Sequence, residues 1–177
     1  MTDTEKRDLG LAQQEFKKNY RYRVMKHNLI TEVVTVVMVA LLLISMTFVL
    51  SVASIRGNGM EPGISDGQHV IINKVAYMKR SPARGEVVSS GRRIYRIVAL
   101  PGEHVEISGG KLFINGTRAD EDYEDDSVFT YPGRARTYTV PDDSFFVLMD
   151  NRDCYDDSRT GTYIPTDSID GKVIIHF

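Results

Sequence analysis

Only one cysteine, Cys154, occurs in the 177 residues, so the chain cannot close an intramolecular disulfide. That fits an exported domain from an organism, such as a bacterium, that does not stabilise its exported proteins with disulfides. An excess of basic charge is also missing. With 22 Lys and Arg against 24 Asp and Glu, the composition argues against a nucleic-acid binder, which needs a basic face. His27, His69 and His176 stand at no metal-ligand spacing, and no Gly-rich loop leads into a helix, so neither a metal nor a cofactor is expected. Past residue 66 no segment has both the length and the 3.6-residue period of a core helix.

What the chain does have is a run without charge, residues 33–52. A helix of about 20 residues rises about 30 Å, the thickness of a bilayer's hydrocarbon core. The hydroxyls in the run, on Thr35, Ser45, Thr47 and Ser51, can bond back to a helix backbone. Residues 1–29 carry seven basic and four acidic side chains, whereas residues 54–177 carry 15 and 19. Cations gathered before the run place the N-terminus in the cytoplasm. The sequence therefore predicts a basic cytoplasmic tail over 1–32, a single transmembrane helix in the bilayer over 33–53, and an extracellular domain over 54–177. Ser51-Val52-Ala53 has the small-x-small form of a signal-peptide cleavage site. Secretory apolar cores, however, run about 7–15 residues near the N-terminus, and this one is longer and starts after residue 32. An uncleaved anchor in the cell membrane is the expectation.

Beyond residue 66, short runs rich in Val, Ile, Tyr and Phe are broken by Gly, Pro and Asp, which is the pattern of strands. Strands are expected over His69–Lys74, Glu86–Ser89, Ile94–Leu100, His104–Ser108, Lys111–Asn115, Arg136–Val140, Ser144–Met149 and Lys172–Phe177. Gly109-Gly110 supplies the positive φ angles of a two-residue hairpin turn. The fold class is mainly β, an antiparallel sandwich or partly closed barrel behind one N-terminal transmembrane helix. Residues 120–126, six acids around Tyr123, read as a solvated loop; they lack the Gly and Glu positions of an EF-hand calcium loop.

Four blocks follow the apolar run in order. They are Gly57-Asn58-Gly59-Met60-Glu61-Pro62; Asp66-Gly67 through Asn73-Lys74; Arg84-Gly85-Glu86-Val87-Val88 with Tyr95-Arg96-Ile97-Val98-Ala99-Leu100-Pro101-Gly102-Glu103; and Asp150-Asn151-Arg152-Asp153-Cys154-Tyr155-Asp156-Asp157-Ser158-Arg159. In order and spacing they resemble the type I signal peptidases, membrane-anchored Ser/Lys proteases that remove signal peptides from exported proteins. The resemblance covers nearly all of residues 56–175 and implies the family's mostly antiparallel β fold. It also implies that Met60, Pro62, Arg96, Asp157, Ser158 and Arg159 belong to the scaffold of the family's site, with an Asp–Arg pair tying its floor to a strand.

The chemistry the resemblance would bring is missing. The family's nucleophilic serine falls on Gly59, which has no side-chain oxygen, and its general-base lysine falls on Tyr95. Lysine serves as a base because burial lowers its pKa and frees its lone pair; a phenol, with a reference pKa of about 10, does not replace it. Gly57 and Tyr155 stand where the family has supporting serines, and Met149 where it has a glycine. Other nucleophiles are available in Ser89, Ser90 and Cys154, the last with His104 as a conceivable partner, but no spacing unites them.

Among Gram-positive signal-peptidase-like proteins, one group of about this size lacks the Ser/Lys pair and assists sortase-mediated pilus assembly. The chain is similar to that group, which implies a non-catalytic chaperone or scaffold binding an extended segment of a pilin or sortase, with Tyr95 filling part of the old pocket. An active peptidase with a non-standard nucleophile, and a membrane-anchored binding module unrelated to secretion, are the alternatives.

Overall fold

The computed structural model describes residues 3–121 and 128–177. Residues 122–126, most of the acidic stretch singled out above, lie outside them. Two compact units meet between Thr47 and Phe48. The first is built from one helix, α1 (Asp3–Val49), of which Gln14–Val49 is long and apolar enough to cross a membrane. Its hydroxyls are satisfied as expected: Thr35 donates to the Thr31 carbonyl at 2.8 Å, Ser45 to Leu42 at 2.7 Å and Thr47 to Ile44 at 2.7 Å.

The end of the helix differs from the expectation. It stops at Val49, not at residue 53, and Leu50–Ser54 forms the first strand, β1. β1 pairs with β2 (His69–Asn73) at five positions, from Leu50↔Asn73 to Ser54↔His69. The ladder gives these residues the backbone partners they would have had in a helix, and Ala53 packs against the Met60, Ile64, Val70 and Ile72 side chains. Ser51 is thus a strand residue opposite Ile72. The helical part of the charge-free run shrinks to residues 33–49, about 25 Å at 1.5 Å per residue, near the short end of what spans a bilayer.

Nine further strands follow in the second unit. They are β3 (Val87–Ser90), β4 (Arg93–Ala99), β5 (His104–Ser108), β6 (Lys111–Ile114), β7 (Thr117–Arg118), β8 (Thr137–Thr139), β9 (Ser144–Leu148), β10 (Ile164–Pro165) and β11 (Ile169–His176). All pairings are antiparallel, in a seven-stranded sheet ordered β1-β2-β11-β3-β4-β9-β10 and a four-stranded sheet ordered β7-β6-β5-β8. Neither sheet closes into a barrel among the described residues. Between β5 and β6 the expected turn forms, with Gly109 at φ 57° and Gly110 at φ 78°.

Core composition follows from strand alternation. Every residue of β9 is buried: Phe146 and Leu148 join Val98, Val105, Ile107, Leu112 and Tyr138 in one cluster, while Phe145 and Val147 join Val88, Tyr95 and Ile97 in another. A strand covered on both faces reads as a continuous apolar run, which Ser144-Phe145-Phe146-Val147-Leu148 does.

Glu86, just before β3, fastens the preceding loop to β11. Its carboxylate accepts from Arg80 at 2.8 Å, Lys172 at 2.8 Å, the Tyr77 hydroxyl at 3.0 Å and the Ala83 N–H at 3.1 Å. Burial pushes the carboxyl upward, but the hydrogen bonds from Arg80, Lys172, Ala83 and Tyr77 outweigh it and hold the group at about 2, below the ordinary 4.5. A carboxyl depressed in the folded state contributes stability that is complete above its unfolded pKa and is lost as pH falls towards the folded one. Glu86→Gln should therefore flatten the fall in stability between about pH 4.5 and about pH 2, read from urea unfolding across that range. An unchanged acid limb would contradict the assignment.

Candidate functional site

A groove of about 860 Å³ runs between the segment that leaves β1 and the start of β4. Ser51 and Ala53 through Met60 line one side, Arg92, Arg93 and Ile94 the other, and Ile72, Ser89 and Met149 also contribute. Both walls have free backbone edges. β1 is the outermost strand of its sheet, and β9 pairs with β4 only from Arg96 onward, leaving Arg93–Tyr95 without a partner on that side among the described residues. An extended segment placed here would find hydrogen-bond partners along both walls.

The loop holding Gly57 and Gly59 is stitched to the segment after β9. Asn151 N–H donates to the Gly59 carbonyl at 3.0 Å, the Asn151 side chain donates to Asn58 O at 3.1 Å, and Cys154 Sγ lies 3.5 Å from Asn58 Oδ1. Gly57, at φ 88°, donates its N–H to Asp66 at 2.7 Å, so a side chain at residue 57 would sit in left-handed backbone. Met60 is buried beneath the loop with Ile64, Val70, Ile72 and Ile94, and Pro62 is exposed in the turn that follows.

Two ion pairs brace the segment after β9 to which that loop is bonded, although none of their four residues lines the groove. Arg96 grips Asp150 with both Nε (2.8 Å) and a terminal nitrogen (2.5 Å), and gives its third donor to Gly85 O at 2.9 Å. Asp157 and Arg159 are wholly buried and paired at 2.9 and 2.8 Å. Arg159 also donates to the carbonyls of Arg152 (2.7 Å) and Cys154, and Asp157 accepts from the Met149 N–H at 3.2 Å. Ser158 is fully buried and accepts the Val147 N–H at 3.0 Å. An Asp–Arg pair is present between Asp157 and Arg159 in the turn after β9, while Arg96 pairs with Asp150 and Met60 packs in a separate apolar cluster.

Gly59 lines the groove and Tyr95 does not. Alternation along β4 sends Ile94 to the groove and Tyr95 to the opposite face, where it is 7% exposed among Val88, Ile97, Phe145 and Val147. The expectation that Tyr95 fills part of the groove is corrected: Ile94 lines it. Met149 packs on the Tyr95 cluster and also reaches Gly59, where an added Cβ would stand 2.7 Å from its Sδ. A thioether thus occupies the space into which a side chain on residue 59 would project. Tyr155 lies under the Arg159 guanidinium, 4.3 Å from its ring centre, and does not line the groove.

The alternative nucleophiles separate. His104 is on β5 in the other sheet, bonded to Thr139 Oγ1 at 3.1 Å, while Cys154 lines the groove. Ser90 is buried outside it. Ser89 lines it and donates to Asp170 at 3.2 Å. Sequence reasoning missed Asp170, Arg56, Arg92 and the filling role of Met149; for Met149 the signal was a bulky residue where the resemblance has glycine.

Removing Arg159 would leave Asp157 charged and unpaired in the core. Arg159→Ala should cost about 3–5 kcal/mol in urea unfolding, with Asp157→Asn also destabilising. A loss below about 1 kcal/mol, the range of exposed pairs, would show that the pair does not organise the segment after β9.

Residues 27–177 match the protein family described as signal peptidase, peptidase S26. A probable signal peptidase I-2 of Synechocystis is 32% identical over 143 residues, covering 74% of this chain and 64% of that protein, so the chain spans just under two thirds of its length. Signal peptidase I of Leptolyngbya laminosa is 31% identical over 74% of this chain and 70% of its own length. Signal peptidase IB of Staphylococcus aureus is 28% identical over 86% of this chain and 91% of its own. The crystal structure of a signal peptidase I from Enterococcus faecalis matches at 29% identity and a TM-score of 0.46, over 54% of this chain and 98% of that one.

Proposed function

This chain belongs to the signal peptidase family, peptidase S26, and we propose that within it the protein is a non-catalytic holder of extended segments, serving pilus assembly at the outer face of the membrane. The observation that carries the reading is Met149 against Gly59. Where a family member would present its nucleophile there is no side chain, and the Met149 thioether lies in the space that a Cβ on residue 59 would enter. The groove itself stays open between two strand edges, and main-chain pairing needs no catalytic atom. In this reading α1 is the membrane anchor, its N-terminus is cytoplasmic, and a pilin or sortase segment is the occupant. β1 supports an uncleaved anchor, because a cut after Ala53 would strip Leu50–Ala53 from the edge of the sheet.

One observation favours a second reading. Ser89 and Cys154 both line the groove, and Ser89 is hydrogen-bonded to a carboxylate. A peptidase using either residue would cut a signal-peptide substrate and lose that activity in Ser89→Ala or Cys154→Ala.

The full-length chain in membranes should co-purify intact pilin or sortase, and Ile94→Arg should weaken that capture. It should not cleave signal-peptide substrates. Gly59→Ser with Tyr95→Lys should stay inactive, since Gly57, Met149 and Tyr155 still stand where the family has its supporting residues, and such residues act as a unit. Surface polymers unchanged by deletion of the protein would refute the assembly role, and strong cleavage by the double variant would refute the account of the lost site.

A further inference from the structure

The groove carries a charge opposite to that of its domain. Residues 54–177 hold 15 basic and 19 acidic side chains, yet the groove is lined by Arg56, Lys74, Arg92 and Arg93 against only Asp156 and Asp170. The two acids are engaged: Asp156 pairs with Arg93, and Asp170 accepts from Ser89. Arg56, Lys74 and Arg92 are exposed and take part in no ion pair among the described residues, whereas Arg80, Arg84, Arg96, Arg152, Arg159 and Lys172 are each tied to a carboxylate.

Arg92 is also held at some conformational cost. It occupies the second position of the two-residue turn Gly91-Arg92 between β3 and β4, at φ 69°. Gly, Asn or Asp fills such a position with less strain. A long cation kept in left-handed backbone on the rim of a groove points to a use for its charge.

We infer that the groove selects an acidic extended peptide. Its strand edges accept the backbone, its floor of Met60, Ile72 and Ile94 takes apolar side chains, and Arg56 and Arg92 on opposite walls, with Lys74, meet carboxylates on the segment. The inference rests on the holding function proposed above and adds the chemistry of the occupant.

Three fluorescent peptides with the same central Ala-Val repeat, flanked by Asp, Ser or Lys, test it by anisotropy with the full chain in nanodiscs. The Asp peptide should bind about tenfold more tightly than the Ser peptide at low salt, and the gap should shrink at high salt. Arg56→Gln with Arg92→Gln should remove the advantage, and Arg56→Glu with Arg92→Glu should transfer it to the Lys peptide. Lys79→Glu, outside the groove, should change nothing. Equal binding of the Asp and Ser peptides, or a preference that survives both double variants, overturns the charge selectivity and leaves the holding function standing. Failure of all three peptides to bind overturns both.

Discussion

The groove depends on the buried pair of Asp157 and Arg159. A carboxylate and a guanidinium removed from water are tolerable only when their remaining donors and acceptors are satisfied. Here Arg159 meets that demand by binding carbonyls of Arg152 and Cys154, and Asp157 by accepting the Met149 N–H. Those bonds fix the backbone on both sides of Asn151, whose own bonds then fix the loop from Asn58 to Gly59. Arg96 and Asp150 anchor the same segment to β4. These two charged pairs therefore brace the segment to which the Asn58–Gly59 wall of the groove is bonded.

Holding a peptide and cutting it make different demands on that frame. Pairing along a strand edge uses main-chain groups, which any side chains supply as long as the walls are in place. Cutting needs a nucleophile with a base in hydrogen-bond reach. In this chain the frame is intact while Gly59 offers no nucleophile, Tyr95 is turned into the core, and Met149 fills the space beside Gly59.

Much of the fold was legible in the sequence. The eight expected strands are present within a few residues of their predicted ends, because each alternates or is continuously apolar, and the Gly109-Gly110 turn could be read from the positive φ it requires. β1 was hidden, since hydropathy cannot separate the end of an apolar helix from an apolar edge strand. β7 and β10, two residues each, are too short to carry a period. At the site, the motifs located Asp157, Arg159 and Arg96 but said nothing of facing. The two-residue alternation of β4 already implied that Ile94 and Tyr95 point opposite ways; which of them meets the groove is decided by long-range packing that no local pattern contains.

The central claim is that the groove holds its partner uncut. It is tested most directly by a photo-crosslinking residue placed at Asn58 in the full chain, in living cells, followed by mass spectrometry of the adducts. The account predicts adducts to exported proteins whose chains run unbroken through the crosslinked segment. Adducts found only on fragments that begin or end within that segment would contradict it, as would a groove that crosslinks to nothing.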